Sequence, residues 1–405
     1  MDVQPLVGTG GIATYTRNLL CHLEGVRVIP VFGAVRGLDR VRLELPPGLE
    51  DRPIVPPLAW RLAHRIRPIA GLLPGFEWVA RLPRADLVHG PNYFVPRSDL
   101  PAVVTVHDLT ALRFPRWHTA AVRERAAKLA RAVHQARLTI ADSEATAADL
   151  VALLGLPAHR VRVIPLAAEE FPGLAEDSPR APGERPDPGA NPAPAAGDQA
   201  ILARLGIDRP YVLHVGALEP RKNLVRLIRA FGAAVGGDGT RWAFGREGAR
   251  GAGAIDGREG DYLLVLAGPE AWGAAEVRAA ASGDRRVLIL GNVSRAELGS
   301  LYRQAACFAY PSHFEGFGLP VLEAMACGAP VVASTGGSLP EVVGDAGLLV
   351  DPQDERALAG AIRQILFEPG VAEDLSRRGR ERAAGFSWRR TADLTREVYL
   401  EALGG

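Results

Sequence analysis

Two carboxylates, Glu315 and Glu323, stand eight positions apart in the run His313-Phe314-Glu315-Gly316-Phe317-Gly318-Leu319-Pro320-Val321-Leu322-Glu323. Gly316 and Gly318 let the backbone turn sharply and approach a ligand. Pro320 suits the first turn of a helix, where its absent N–H costs nothing. A helix opening near Leu319 offers N–H groups and the positive end of its dipole to a phosphate. Glu315 lies before that helix and Glu323 about one turn inside it, so both can face one cleft. The pattern suits a ligand with hydroxyls at one end and a phosphate in the middle. An arbitrary glutamate pair at this spacing is a solvated corner. The glycines, the proline and the apolar run Ala326-Cys327-Gly328-Ala329-Pro330-Val331-Val332 argue against that here.

Other residues carry related chemistry. Gly216-Ala217-Leu218-Glu219-Pro220-Arg221-Lys222-Asn223-Leu224 joins a strand to a helix. Cations at a helix start oppose the dipole, and an anion gives Arg221 and Lys222 a reason to be there, arginine as a fork and lysine as a point charge. Lys128 and Lys222 are the only lysines among 47 basic side chains. His107-Asp108 follows the apolar run Ala102–Val106, and ligands of α/β sheets gather at the carboxyl ends of strands. A histidine there can bond a hydroxyl or move a proton near neutral pH. Gly8-Thr9-Gly10-Gly11 precedes a helix, without the G-x-G-x-x-G of a dinucleotide fold. Ser143 and Ser294 read as helix N-caps, and Gly291-Asn292-Val293-Ser294 as an ordinary strand–helix loop.

The segment from His313 to Val332 closely resembles the E-x7-E signature of retaining glycosyltransferases of the GT-B class, and within it glycosyltransferase family 4. Gly10-Gly11-Ile12-Ala13-Thr14-Tyr15, His107-Asp108 and Arg221-Lys222-Asn223 resemble further motifs of that family. The resemblance implies an α/β fold of two Rossmann-like domains facing across a cleft. It assigns Glu323 to the ribose of a nucleotide-diphosphate sugar and Lys222 with Arg221 to its diphosphate. Glu315 and the backbone of Gly316, Phe317, Gly318 and Leu319 would hold the sugar hydroxyls, and the backbone at Val293 the base. Gly10 and Gly11 would approach the donor. His107 would contact the sugar, with Asp108 as its orienting neighbour. Many family members carry an arginine directly after the strand glycine, where this chain has Ala217. The expected partners are a nucleotide-sugar donor, with GDP-mannose the choice within the family, and a glycan or lipid-linked acceptor in polysaccharide assembly. An epimerase of the same fold and a non-catalytic nucleotide-sugar-binding protein remain as alternatives.

Composition agrees with such an enzyme. The chain has 405 residues, enough for two α/β domains, with 47% hydrophobic and 23% charged residues. A net charge of +1 argues against a nucleic-acid binder. There is no Asp-x-Asp motif, so no divalent-cation diphosphate site and no cofactor is expected. Cys21, Cys307 and Cys327 read as buried thiols of a reducing compartment, and a cytoplasmic location follows. Trp60 through Arg84 mixes basic and large apolar residues, which suits either peripheral contact with an anionic membrane or a half-buried helix pair.

The elements alternate as in parallel sheets flanked by helices. Strands are expected at Val26–Phe32, Ala85–His89, Ala102–His107, Arg137–Ala141 and Val161–Pro165, then at Tyr211–Gly216, Tyr262–Ala267, Val287–Leu290, Cys307–Tyr310, Pro330–Ala333 and Leu348–Val350. Residues 1–171 read as the first α/β domain, and the resemblance implies that it is the acceptor-side domain and that the family's first strand is missing from it. Residues 172–200 read as a Pro/Ala/Gly-rich linker or insert and 201–386 as a second α/β domain; the resemblance implies that this second domain binds the nucleotide sugar and that a helix over 387–405 crosses back to the first domain. Residues 236–260 lack a core pattern.

Overall fold

The computed structural model describes residues 1, 10–29, 85–92, 95, 99–171, 196–236 and 262–404. They form two compact units, Met1–Ala167 with Phe386–Gly405, and Ala168–Gly385. The segment from Trp60 to Arg84, expected to make peripheral membrane contact or to form a half-buried helix pair, lies outside the described residues, as do 172–195 and 237–261.

In the first unit, helix α1 (Gly11–His22) precedes strands β1 (Val88–Gly90) and β2 (Ala102–Val106). Short α2 (Thr110–Arg113), α3 (Ala120–Gln135), β3 (Leu138–Ala141), α4 (Glu144–Leu154) and β4 (Val161–Val163) follow. The strands pair in parallel in the order β1-β2-β3-β4. Every residue of β2 and β3 is buried, the mark of a sheet covered on both faces. Ser143 starts α4 by accepting from the Thr146 N–H, and Gly155 ends it in the left-handed region.

Val26–Ile29, expected in a strand, takes no regular structure, and 30–32 lie outside the described residues. The strand expected at Ala85–His89 is shorter and shifted to Val88–Gly90. Cys21, expected to be buried, is exposed because it faces away from the apolar side of α1, whereas Cys307 and Cys327 are buried thiols.

The second unit opens with α5 (Ala196–Arg204), which begins inside the segment expected as linker. It continues through β5 (Tyr211–Val215), α6 (Leu224–Val235), β6 (Leu263–Ala267), α7 (Ala274–Ala281), β7 (Val287–Gly291) and α8 (Arg295–Gln304). Then come β8 (Cys307–Tyr310), α9 (Leu319–Ala326), β9 (Val331–Ser334), α10 (Leu339–Val343), β10 (Leu348–Val350), α11 (Glu355–Phe367) and α12 (Val371–Ala383). All six strands are parallel in the order β10-β9-β8-β5-β6-β7. The direction of winding reverses between β5 and β8, and that is where an open α/β sheet leaves a crevice at its carboxyl edge. The apolar stripe Leu224, Leu227, Ile228, Phe231 and Val235 of α6 packs with Leu358, Ile362 and Ile365 of α11 over Val212 and Leu264.

The last helix, α13 (Trp388–Leu403), is capped by Ser387 and belongs to the first unit. Tyr399 bonds the Nδ1 of His89 at 2.6 Å, the His89 Nε2 bonds Thr105 at 2.8 Å, and Thr105 bonds the Tyr15 hydroxyl at 3.0 Å. Burial pushes the His89 pKa down to about 3, so this chain joining α13, β1, β2 and α1 is neutral.

Candidate active site

The loops after β5 and β8 meet at the reversal of the second sheet. The turn Pro220–Lys222 ends at Asn223, the only described non-glycine residue at positive φ (61°), a conformation asparagine tolerates. The Asn223 amide donates to the carbonyls of Pro311 (3.1 Å) and Pro352 (2.7 Å), and the His313 N–H donates to the Arg221 carbonyl at 2.8 Å. The two loops are thereby stitched into one surface.

Glu315 sits at its centre, 6% exposed. Lys222 Nζ donates to its Oε1 at 2.8 Å and Arg221 Nη1 to its Oε2 at 2.6 Å. Burial alone would raise the Glu315 pKa, but the charges of Arg221 and Lys222 more than reverse this and bring it to about 2. Burial and the Arg221 charge pull Lys222 below the usual lysine value, while Glu315 and Glu219 pull it back. Lys222 has a second acceptor, the Tyr310 hydroxyl at 2.7 Å. Arg221 also donates to the Phe314 carbonyl (2.9 Å) and to Glu219 (2.6 Å). These bonds hold the Arg221 guanidinium around the Glu315 loop.

That loop is fixed from its far side. The Ser338 hydroxyl donates to the Phe317 carbonyl at 2.7 Å, and its N–H to the Glu315 carbonyl at 3.1 Å. Gly337 has φ +66°, and a Cβ there would lie 2.2 Å from the Glu315 carbonyl oxygen. Gly318, at φ +102°, caps α9, with Pro320 in the first turn. The N-terminus of α9 therefore opens beside the Lys222–Glu315 pair.

Glu323 lies one turn inside α9 and accepts from the Tyr302 hydroxyl at 2.9 Å. Burial raises its pKa to about 8, with Tyr302 opposing, Glu169 adding and Arg295 opposing. One carboxyl of the pair is thus ionised and the other neutral at pH 7. The half-buried Val293 follows Gly291 at the end of β7, and Ser294 forms a capping box with Glu297.

In the first unit, His107 directly follows β2, with both nitrogens engaged. Nδ1 contacts Asp142 Oδ2 at 2.6 Å and Nε2 the Pro91 carbonyl at 2.9 Å. Two acceptors require two N–H donors, hence an imidazolium. Burial disfavours that charge, but Asp142, the Pro91 carbonyl and Asp108 outweigh it and the pKa is raised. Asp108, expected to orient this ring, instead accepts from the N–H and hydroxyl of Thr110. The adjacent residue turns into the next helix, and the orienting carboxylate comes from the end of the neighbouring strand. The edge of the Tyr15 ring meets His107 at 5.0 Å, so the first turn of α1, with the exposed Gly10 and Gly11, stands beside the end of β2.

Motif reading missed Asp142, Glu219, Tyr302, Tyr310 and Ser338. Asp142 and Tyr310 stand at the carboxyl ends of strands, the same signal that exposed His107.

Two parallel α/β units, with a reversal-point site built on an E-x7-E pair and a lysine, define the class of GT-B glycosyltransferases. Residues 199–382 match the sequence model of the glycosyl transferases group 1, and residues 9–169 that of glycosyltransferase family 4. The O-antigen chain mannosyltransferase B of Escherichia coli is 33% identical over 84% of this chain and 79% of its own. A sucrose-phosphate synthase structure from Thermosynechococcus elongatus superposes with a TM-score of 0.65 at 23% identity, covering 98% of this chain and 94% of that one. The Anabaena protein HepE, solved with UDP and glucose, gives 0.65 at 18% identity over 98% and 97%. The chain belongs to the group 1, family 4 glycosyltransferases.

Proposed function

We propose that this glycosyltransferase retains anomeric configuration and takes mannose from GDP-mannose to a glycan or lipid-linked acceptor. The observation that carries the reading is the Lys222 ammonium at the sheet reversal. Two of its three N–H donors are taken by Tyr310 and Glu315, and the third is left for a phosphate oxygen. The N-terminus of α9 adds its dipole to the same charge. Arg221 adds positive charge from behind Glu315. Glu323 holds the ribose hydroxyls, the backbone at Val293 the base, and Glu315 with the Gly316–Leu319 backbone the sugar.

The leaving diphosphate would be stabilised by groups already in place, and the acceptor hydroxyl positioned for attack from the same face. No side chain is assigned as a covalent nucleophile. The name of the Escherichia coli relative supports mannose; the UDP and glucose bound to HepE make UDP-glucose the comparison to run. Among the described residues no helix is long and apolar enough to cross a membrane. A lipid-linked acceptor would be met from the cytoplasmic side by peripheral contact.

The test is turnover with GDP-mannose and UDP-glucose in the presence of lipid-linked and glycan acceptors, with the product anomer read by NMR. Mannosyl product with the donor's anomeric configuration is expected. Turnover of UDP-glucose alone would overturn the donor, and an inverted anomer the mechanism. Nucleotide release without acceptor product would favour an epimerase, and binding without turnover a non-catalytic protein.

A further inference from the structure

Tyr310 is the last residue of β8 and is fully buried. Its ring stacks against that of His214, at 5.2 Å and 16°, and against that of Phe308, at 5.7 Å and 18°. A fully buried ring packed against two others is held in place, so its hydroxyl oxygen is a fixed point at the sheet's carboxyl edge. A phenylalanine would fill the same core position without placing a buried polar atom there, and such an atom is costly unless bonded. The partner is Lys222 Nζ, which donates to the hydroxyl at 2.7 Å and lies 4.9 Å from the ring centroid.

The lysine stem is confined as well. A Cβ on Gly216 would meet Lys222 Cε at 3.3 Å and His214 Nε2 at 3.2 Å, so the stem runs along backbone that only glycine leaves open. A lysine is a flexible stem with three rotatable donors. Glu315 alone would hold the ammonium by one bond and leave it free to spin about that axis. A second, immobile acceptor removes that freedom and sets the direction of the third N–H.

We propose that Tyr310 is a positioning residue for the diphosphate, its hydroxyl and Glu315 together aiming the remaining Lys222 N–H at the leaving phosphate. This rests on the donor reading above. Tyr310 does not touch the donor. It acts through Lys222, so its contribution exists only while that lysine is present.

The full chain carries two lysines, and 15N-lysine labelling therefore gives two side-chain ammonium signals. In the wild type, one is expected to be protected from exchange and to shift on addition of GDP or UDP. Tyr310→Phe should lose that protection and weaken nucleoside diphosphate binding about tenfold, the scale of one hydrogen bond to a charged group. In a Lys222→Met background the same substitution should change affinity less than twofold. Affinity unchanged in Tyr310→Phe while Lys222→Met weakens it would overturn the proposal and leave the donor reading standing. Equal losses in both backgrounds would reduce Tyr310 to packing. Absence of a protected ammonium in the wild type overturns the proposal without any variant. A wild type that binds no nucleoside diphosphate overturns the donor reading, and the proposal with it.

Discussion

Glu323 makes donor affinity depend on pH in a direction fixed by its surroundings. The residue is 8% exposed, and its carboxyl receives one bond from Tyr302 and has a pKa raised to about 8 by burial. The groups facing it are Tyr302 of α8, Glu169, and Arg295 at the start of α8. A carboxylate accepting two ribose hydroxyls is the charged form, so donor binding should expel the proton. The sign follows: affinity rises with pH and levels off above about 8. At pH 7 about one carboxyl in ten is ionised and at pH 6 about one in a hundred, which corresponds to roughly tenfold and hundredfold weaker binding than the plateau. An intact nucleotide-diphosphate sugar is the right probe, because it lacks the terminal phosphate whose second ionisation near pH 6 would confuse the profile. Calorimetry in two buffers of different ionisation enthalpy should show close to one proton released per donor at pH 7. Glu323→Gln should bind weakly and without that dependence. A wild-type affinity flat from pH 6 to 9, with no proton exchanged, would refute the reasoning.

Other outcomes follow from the same contacts. Glu315→Gln leaves Arg221 and Lys222 buried without their shared anion and should destabilise the second unit by about 3–5 kcal/mol in denaturant melts, with donor binding lost. Gly337→Ala forces a side chain onto the Glu315 carbonyl at positive φ and should cost roughly 2–4 kcal/mol and weaken donor binding in proportion. Asp142→Asn removes the carboxylate that keeps His107 charged, so its pKa, followed by NMR of the imidazole, should fall below the ordinary 6.5. With the native Asp142, the raised His107 value stabilises the first unit fully below about pH 6.5, and that contribution fades as pH rises through the folded value. Melts of Asp142→Asn and wild type should therefore converge at alkaline pH.

The sheet of the second unit was readable because parallel strands buried on both faces are short apolar runs closed by glycine or proline. Cys307–Tyr310 and Leu348–Val350 fall where the pattern puts them. The helix starts were readable too, because Ser143, Ser294 and Pro320 are local signals. What sequence hides is which groups meet across the sheet. Asp108 adjoins His107 in the chain, yet Asp142, thirty-five residues on, reaches the ring because β2 and β3 are neighbours in register. Arg221 and Lys222 look equivalent as a basic pair. The turn at Pro220–Lys222 sends one around the Glu315 loop and the other to Tyr310, a division that depends on backbone direction rather than residue type. The opposite protonation of Glu315 and Glu323 is likewise invisible in a motif that treats them alike. It arises because burial raises both, and only at Glu315 do two bonded cations, Arg221 and Lys222, more than reverse it.

The most direct test of the central claim is thermal melting of the full chain with a panel of nucleotide sugars, comparing wild type with Lys222→Ala and Glu323→Ala. A rise in melting temperature with GDP-mannose, lost in both variants, is expected. A well-folded wild type whose melting no nucleotide sugar shifts, or a shift that survives both substitutions, would contradict it.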